Sequence, residues 1–378
     1  MDNAFVKSMP KLGFGLMRLP QKDGQIDLEQ TCRMVDMFLE KGFCYFDTAY
    51  GYGDGASERA MKAALIDRYP RDSFYVATKL PAWAGAKTTE EAQAMFYTSL
   101  ERTGAGYFDF YLLHNLGEQR THYFDEFGIW DFLAQRKAEG LIRHLGFSFH
   151  DKAAELDKIL CAHPEAEFVQ LQINYTDWEN PSVEARKCYE VARRHNKPIV
   201  IMEPVKGGNL ANPPEHIRAI FDQARPGMSP SSWAIRFAAS LEGVLTVLSG
   251  MSNVEQMADN LATMAAFEPM TEKDLAVIEQ ARQAYAAIPT VPCTACEYCI
   301  KGCPQNINIP GIFNVYNSWL QFGNLGLTRG SYNWQTAGHQ MGKGSDCIGC
   351  GACEQVCPQH ISIRETLQKA VGVFEAEA

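Results

Sequence analysis

FCYFDTAYGYGDG, Phe43–Gly55, begins as a continuous apolar run, stops on Asp47 and breaks into a glycine-rich turn that carries Tyr52. Two stretches of the same form follow: FYVATKL, Phe74–Leu80, reaches Lys79 as it ends, and FDFYLLH, Phe108–His114, ends on His114. Unbroken apolar runs of this length belong to strands covered on both faces, as in parallel sheets whose strands are joined by helices. Working outward, runs at Leu12–Met17, Ile142–Phe149, Phe168–Ile173, Pro198–Met202 and Val244–Leu248 bring the strands to eight. Helical patterns lie between them. Asp27–Glu40 places Cys32, Val35 and Leu39 on one face, while Thr88 with Glu91 and Ser252 with Glu255 read as capping boxes opening later helices. Eight strand–helix repeats in about 250 residues predict an α/β fold, a (β/α)8 TIM barrel. A doubly wound open sheet is the alternative, but no G-x-G-x-x-G follows the first strand.

In a barrel, chemistry belongs at the C-terminal ends of the strands. Asp47, Tyr52, Lys79 and His114 stand at or just past three successive ends. Any one of them alone reads as structural, a strand-end histidine as a core group and a tyrosine among glycines as loop surface. Together they converge on one mouth. A phenol has an ordinary pKa of about 10. A neighbouring ammonium is expected to lower it, so Lys79 tunes Tyr52, Asp47 holds Lys79 charged, and His114 donates to a substrate oxygen. Tyr52 is the candidate acid.

Eight of the twelve cysteines form two strings near the C-terminus. Cys293, Cys296, Cys299 and Cys303 precede Pro304; Cys347, Cys350, Cys353 and Cys357 precede Pro358. Both read C-x2-C-x2-C-x3-C-P, the spacing of a ferredoxin with two 4Fe-4S clusters, in which the fourth cysteine of each string ligates the other cluster. The expected sets are Cys293, Cys296, Cys299 with Cys357, and Cys347, Cys350, Cys353 with Cys303. Structural zinc prefers separated pairs and leaves the third cysteines unused. Disulfides need an oxidising compartment, and Met1–Gly15 has no signal-peptide pattern, so a reducing cytoplasm is the expected location. Cys32, Cys44, Cys161 and Cys188 are scattered and read as buried spectators.

The 378 residues predict two domains, a barrel over 1–288 and a cluster-bearing tail over 289–378, joined near Ile288–Pro292. A formal charge of −10 disfavours nucleic acid, and the longest apolar stretch, Ala234–Met251, is broken by Arg236 and Glu242, so no membrane span is expected. In the tail, IPGIFNVYNSWLQFG reads as a helix with Ile312, Val315, Tyr316 and Leu320 on one face. A glycine-rich loop, Gly323–Gly344, follows, and Ser362 with Glu365 suggests a capping box for a last helix, Ile363–Phe374.

On these residues, Lys11–Phe267 resembles an aldo/keto reductase, and the tail makes the chain similar to the subgroup carrying two clusters in an appended domain. The resemblance implies that Asp47, Tyr52, Lys79 and His114 form the family's catalytic tetrad. It implies a nicotinamide cofactor, NADP(H) or NAD(H), and a small carbonyl or alcohol substrate. VLSGMSNVEQMADNL resembles the adenine-side clamp, with Gly250, Ser252, Gln256 and Asn260; IMEPVKGGNL resembles the pyrophosphate loop, with Lys206, Gly207 and Gly208. Gln172 and Ser148 match the carboxamide contacts. Met202 stands where an aromatic ring often stacks on nicotinamide, and Phe149 where an asparagine often follows the serine. Gly243–Glu272 has no Lys or Arg for a 2′-phosphate, leaving Lys206, Arg218 or Arg225 to supply one.

Nicotinamide moves two electrons together, whereas each cluster moves one. Three readings stay open: hydride transfer in the barrel with clusters that are structural or serve a ferredoxin- or flavodoxin-like carrier; cluster-fed reduction of a substrate without nicotinamide; or an idle barrel on an electron-carrying subunit. Trp83, Trp130, Tyr175 and Trp178 lie near strand ends as candidate pocket walls.

Overall fold

The structure is a computed structural model, and it describes residues 3–376. Eight parallel strands close into a barrel: β1 (Leu12–Gly15), β2 (Tyr45–Asp47), β3 (Tyr75–Leu80), β4 (Phe108–Leu116), β5 (Ile142–Phe149), β6 (Phe168–Gln172), β7 (Ile199–Met202) and β8 (Val244–Ser249). Each strand pairs with the next in sequence, and β1 closes the ring against both β2 and β8. All eight match the runs seen in the sequence, within a residue or two at their ends. The open-sheet alternative is excluded.

Side chains alternate across each strand, so barrel-facing positions stack in layers. The lower interior layer holds Tyr45, Ala77, Phe110, Phe168 and Val200. Beneath it, Phe5 of the helix Asn3–Ser8 packs its ring 5.5 Å from His144 and 6.5 Å from Phe110, closing the barrel floor. One alternation upward from Tyr45, Ala77 and Val200 come Asp47, Lys79 and Met202. The same period brings His114, Ser148 and Gln172 to the upper mouth. A period of two therefore puts every polar strand-end residue on one side of an apolar plug.

Close strand approach depends on Gly146 in β5. A Cβ there would lie 2.4 Å from the Phe168 carbonyl oxygen and 2.7 Å from its ring. Backbone cannot yield as a flexible side chain does, so Gly146→Ala is expected to cost about 1–3 kcal/mol. Chemical unfolding followed by far-UV circular dichroism should report it; an unchanged midpoint would mean the β5–β6 pair relaxes freely.

The helix Leu28–Glu40 starts where Asp27 accepts a hydrogen bond from the Gln30 N–H. Its buried face is Thr31, Met34, Val35 and Phe38, so Val35 is placed as expected, while Cys32 and Leu39 lie half-buried beside that face. The helix after β8, Val254–Ala265, is capped by Asn253 rather than Ser252: Asn253 Oδ1 accepts from the Gln256 N–H at 2.8 Å.

By internal contacts the chain divides into two units. The first runs to Gly207 and takes in Gly227–Ile278; the second comprises Gly208–Pro226 and the described chain from Glu279 on. The second unit thus includes the segment Gly208–Pro226, where Asn209 accepts from the Asn324 amide at 3.0 Å. Its core gathers Ile309, Ile312, Phe313, Ile363, Leu367 and Phe374 from the helices Ile309–Phe322 and Ile363–Phe374. Both helices were expected, although Ser362 makes no side-chain cap bond and the box is not formed. Gly323–Gly344 is not a loop. It holds the helix Leu325–Gln335, capped by Asn324 and anchored by buried Thr328 and Tyr332, whose burial outweighs the cost of Gly326 and Gly330. Among the described residues no helix is long and apolar enough to cross a membrane.

Candidate active site and cluster sites

The turn after β2 delivers Tyr52 to the barrel mouth. Its backbone is wound by Gly53 and Gly55, both at positive φ, with Asp54 between them also left-handed. Lys79 is 1 % exposed and points up the barrel. Its Nζ donates to Asp47 Oδ1 at 2.5 Å, to the Thr48 carbonyl at 2.7 Å and to the Tyr52 hydroxyl at 3.4 Å. The ammonium also lies 4.9 Å from the centroid of the Tyr52 ring. His114 meets that ring edge-on, 6.0 Å between centroids. The four residues singled out at successive strand ends thus stand together in space.

Charge in this cluster follows from its surroundings. Burial lifts the Asp47 carboxyl above its usual range, and Lys79 pulls against that lift. Burial alone would lower Lys79, but Asp47 and then Tyr52 hold it above its ordinary value, so the ammonium persists. Tyr52 departs from expectation. Withdrawal from water raises its phenol, Lys79 only offsets part of that, and Asp47 adds to the rise. Lys79 therefore orients and tempers the phenol without making it unusually acidic, and Tyr52 keeps its proton at neutral pH. His114 is driven well below its ordinary value, first by desolvation and then by Lys79, His150 and Arg120. A neutral imidazole can donate one hydrogen bond, and His114 Nδ1 is a buried atom with no partner among the described residues.

Other candidates fall into place unevenly. Ser148 is buried at the end of β5, and its Oγ accepts from the Asn115 N–H at 2.8 Å, tying down the turn after β4. Gln172 donates to Asp177 Oδ2 at 3.2 Å. Met202 lines the mouth with its sulfur 3.6 Å from the buried Gln170 amide. Lys206 pairs with buried Asp177 at 2.5 Å. Gly207 offers its carbonyl to Arg18 Nη1 at 2.9 Å. Gly250 leaves room at the end of β8, where an added Cβ would stand 3.9 Å from the Arg18 Cβ. Gln256 is exposed, and its Oε1 accepts from the Ser252 N–H at 2.7 Å. Asn260, one turn on from Gln256, is buried and donates to Ser249 Oγ at 2.7 Å.

Three mouth residues escaped the sequence reading. Arg18 follows β1 and reaches the loops after β7 and β8. Arg120 lies 5.0 Å over the Trp83 ring, and Trp83 in turn donates to the His114 carbonyl at 2.7 Å. His150 stands on the rim with an exposed edge, yet desolvation by the surrounding walls outweighs a bond it donates to Gln172 and, with Arg120 and Lys79, lowers it to about 4. Arg18 ends the short 3-10 helix Leu16–Arg18, and Arg120 and His150 sit on loops, so no period marks any of them. Of the four aromatics proposed as walls, Trp83 contacts the tetrad. Trp130 stacks on His163 at 3.9 Å, and Tyr175 and Trp178 pack on Phe237.

In the second unit the two cysteine strings share one backbone course. Ala295 and Glu297 flank Cys296 at positive φ, as Gly349 and Gly351 flank Cys350; Asn306 and His360 repeat it three residues past Cys303 and Cys357. Two hollows lie against these turns. Cys293, Cys296, Cys299 and Cys357 line one; Cys303, Cys347, Cys350 and Cys353 line the other. Apolar side chains complete the walls, Ile309, Phe313, Ile361 and Ile363 in the first and Ile307, Ile309 and Leu367 in the second. Four sulfurs around a mostly apolar hollow suit an iron–sulfur cluster, whose charge is carried by its own thiolates. Of the remaining cysteines only Cys188 is buried; Cys161 is exposed, and Cys32 and Cys44 are half-buried, because they lie on barrel-helix flanks and strand ends. Burial pushes Cys44 up to about 11 and Cys188 up to about 12, which keeps both as thiols.

Comparison with known proteins agrees with this geometry. The profile of the Aldo/keto reductase family matches residues 11–283, and that of the 4Fe-4S dicluster domain matches 292–362. An aldo-keto reductase of Mycobacterium marinum is 30% identical over 255 residues, covering 67% of this chain and 82% of that protein. One from Mycolicibacterium smegmatis is 29% identical over the same length, with 67% and 81% covered. Among solved structures, the holo form of an aldo-keto reductase from Bacillus halodurans superposes with TM-score 0.59 at 22% identity, covering 72% of this chain and 91% of that one. One from Klebsiella pneumoniae in complex with NADPH gives 0.58 at 20%, covering 72% and 90%. The chain belongs to the aldo/keto reductase family and carries a 4Fe-4S dicluster domain toward its C-terminus.

Proposed function

We propose that this oxidoreductase reduces a small carbonyl compound reversibly with a nicotinamide cofactor, Tyr52 serving as proton donor, and that its tail holds two 4Fe-4S clusters. The observation that carries the reading is the Asp47–Lys79–Tyr52 chain beside a neutral His114 at the mouth of a barrel. Reduced nicotinamide, when bound, supplies hydride to the carbonyl carbon. Tyr52 delivers its phenolic proton to the carbonyl oxygen, and the Lys79 ammonium stabilises the phenolate left behind. Asp47 keeps that ammonium charged and in place. His114 donates to the same oxygen, orienting it before transfer. Arg18, Gly207 and Gly250, which lie near one another, would hold the pyrophosphate, and Ser148, Gln172 and Met202 would hold the nicotinamide end.

Crossed ligation of the clusters, Cys357 to the first set and Cys303 to the second, is supported by which cysteines line each cavity. A second reading, cluster-fed reduction without nicotinamide, draws support from Lys206, whose ammonium is already matched by buried Asp177. Titration of anaerobically prepared protein with NADPH and then NADH separates the two. Nicotinamide fluorescence should saturate with at least one nucleotide while cluster absorbance holds, and binding of neither would transfer support to the second reading.

A further inference from the structure

Glu58 is fully buried in the helix Ala56–Met61 that leaves the tyrosine turn. Its Oε1 accepts from Thr78 Oγ1 at 2.9 Å, and Thr78 is the β3 residue next to Lys79. Its Oε2 faces Arg102 Nη1 at 3.3 Å. Arg102, in the last turn of the helix Thr89–Thr103, also donates from Nη1 to the Tyr50 carbonyl at 2.9 Å. The guanidinium lies 4.5 Å over the Tyr50 ring and flat against Gly55, where a Cβ would stand 2.5 Å from its carbon. One ion pair therefore grips the turn on both sides of Tyr52 and the strand that carries Lys79.

A buried pair of this kind adds little net stability beyond an apolar substitute, because desolvation offsets the attraction. Its geometry is better explained by what it holds. We propose that Glu58 and Arg102 are positioning residues that fix the Tyr52 hydroxyl against the Lys79 ammonium, a role that rests on Tyr52 being the proton donor. Both Arg102 bonds leave Nη1, whose two N–H groups are fixed in the guanidinium plane that lies over the Tyr50 ring; a lysine ammonium has no such plane to fix their direction or to stack there. Misplacing a reacting group by an ångström can cost about 10²-fold in rate.

The test uses anaerobic, cluster-loaded protein with 4-nitrobenzaldehyde and NADPH as probes. The double variant E58Q/R102M removes both charges and leaves no buried unpaired one. Its kcat is expected to fall roughly thirty-fold, with KM within about twofold and iron content unchanged. Arg102→Lys, which keeps the charge but not the plane, should fall between. A purely structural role would not move the Tyr52 phenol itself. Ring-labelled tyrosine NMR, with Tyr52 assigned through Tyr52→Phe, should show its titration shifting toward that of a free phenol as the ring turns to water. Unchanged phenol titration and unchanged kcat in either folded variant overturns the proposal; should E58Q/R102M not fold, Arg102→Lys decides it. If Tyr52→Phe still turns over the probe, the carbonyl-reduction reading falls, and the phenol titration alone continues to judge the clamp.

Discussion

Tyr52→Phe should lower carbonyl turnover by about 10³-fold while leaving the iron content and the nucleotide affinity of the protein as they were. Phenylalanine keeps the ring that His114 meets edge-on and that Lys79 faces, so the mouth holds its shape. What disappears is the hydroxyl 3.4 Å from the ammonium, the nearest group with a proton to give. The pH profile of the parent protein carries the same argument. Because burial raises the phenol above its ordinary value of 10, Tyr52 is protonated throughout the neutral range. Because His114 is held well below 6.5, it stays neutral there as well. Reductive kcat should then be level from about pH 6 to 9 and decline only as alkali removes the phenolic proton. A steep limb near neutrality, or brisk turnover by the phenylalanine variant, would remove Tyr52 as the acid.

The second large effect concerns the cysteines, and it separates crossed from uncrossed ligation by counting iron. Cys303 lines the same cavity as Cys347, Cys350 and Cys353 although it belongs to the other string. With crossed ligation, the variants Cys303→Ser and Cys347→Ser each damage one and the same cluster. The double variant should therefore keep about half of the parent's iron, roughly four of eight atoms per chain. With uncrossed ligation the two changes strike different clusters, and the double variant should lose nearly all of it. Anaerobic iron analysis with low-temperature electron paramagnetic resonance distinguishes the two counts. Since cluster binding and folding of the small unit are coupled, loss of one cluster should also lower its unfolding temperature.

Much of the barrel was legible because its period is local. An unbroken apolar run names a doubly covered strand, and the polar residue that ends it names the mouth, so Asp47, Lys79 and His114 could be read from three lines of sequence. The cysteine strings were legible for a similar reason: their spacing is short and repeats without change. The helix Leu325–Gln335 was not, since its glycines argue for a loop and only the burial of Thr328 and Tyr332 overrides them. The partner of Asn260 was not legible either, because one turn of helix cannot say which group folding brings against it; the Ser249 hydroxyl it reaches is eleven residues away.

Sequence alone determined the eight-strand order, the identity of the four polar residues at the mouth and the two thiolate strings, all of which follow from spacing along the chain. Tertiary structure decided the charge states and the supporting cast. The phenol's rise depends on how many walls exclude water from it, a sum over groups remote in sequence. Arg18, Arg120, His150 and the Glu58–Arg102 pair likewise matter only through where folding brings them, and no local pattern records that.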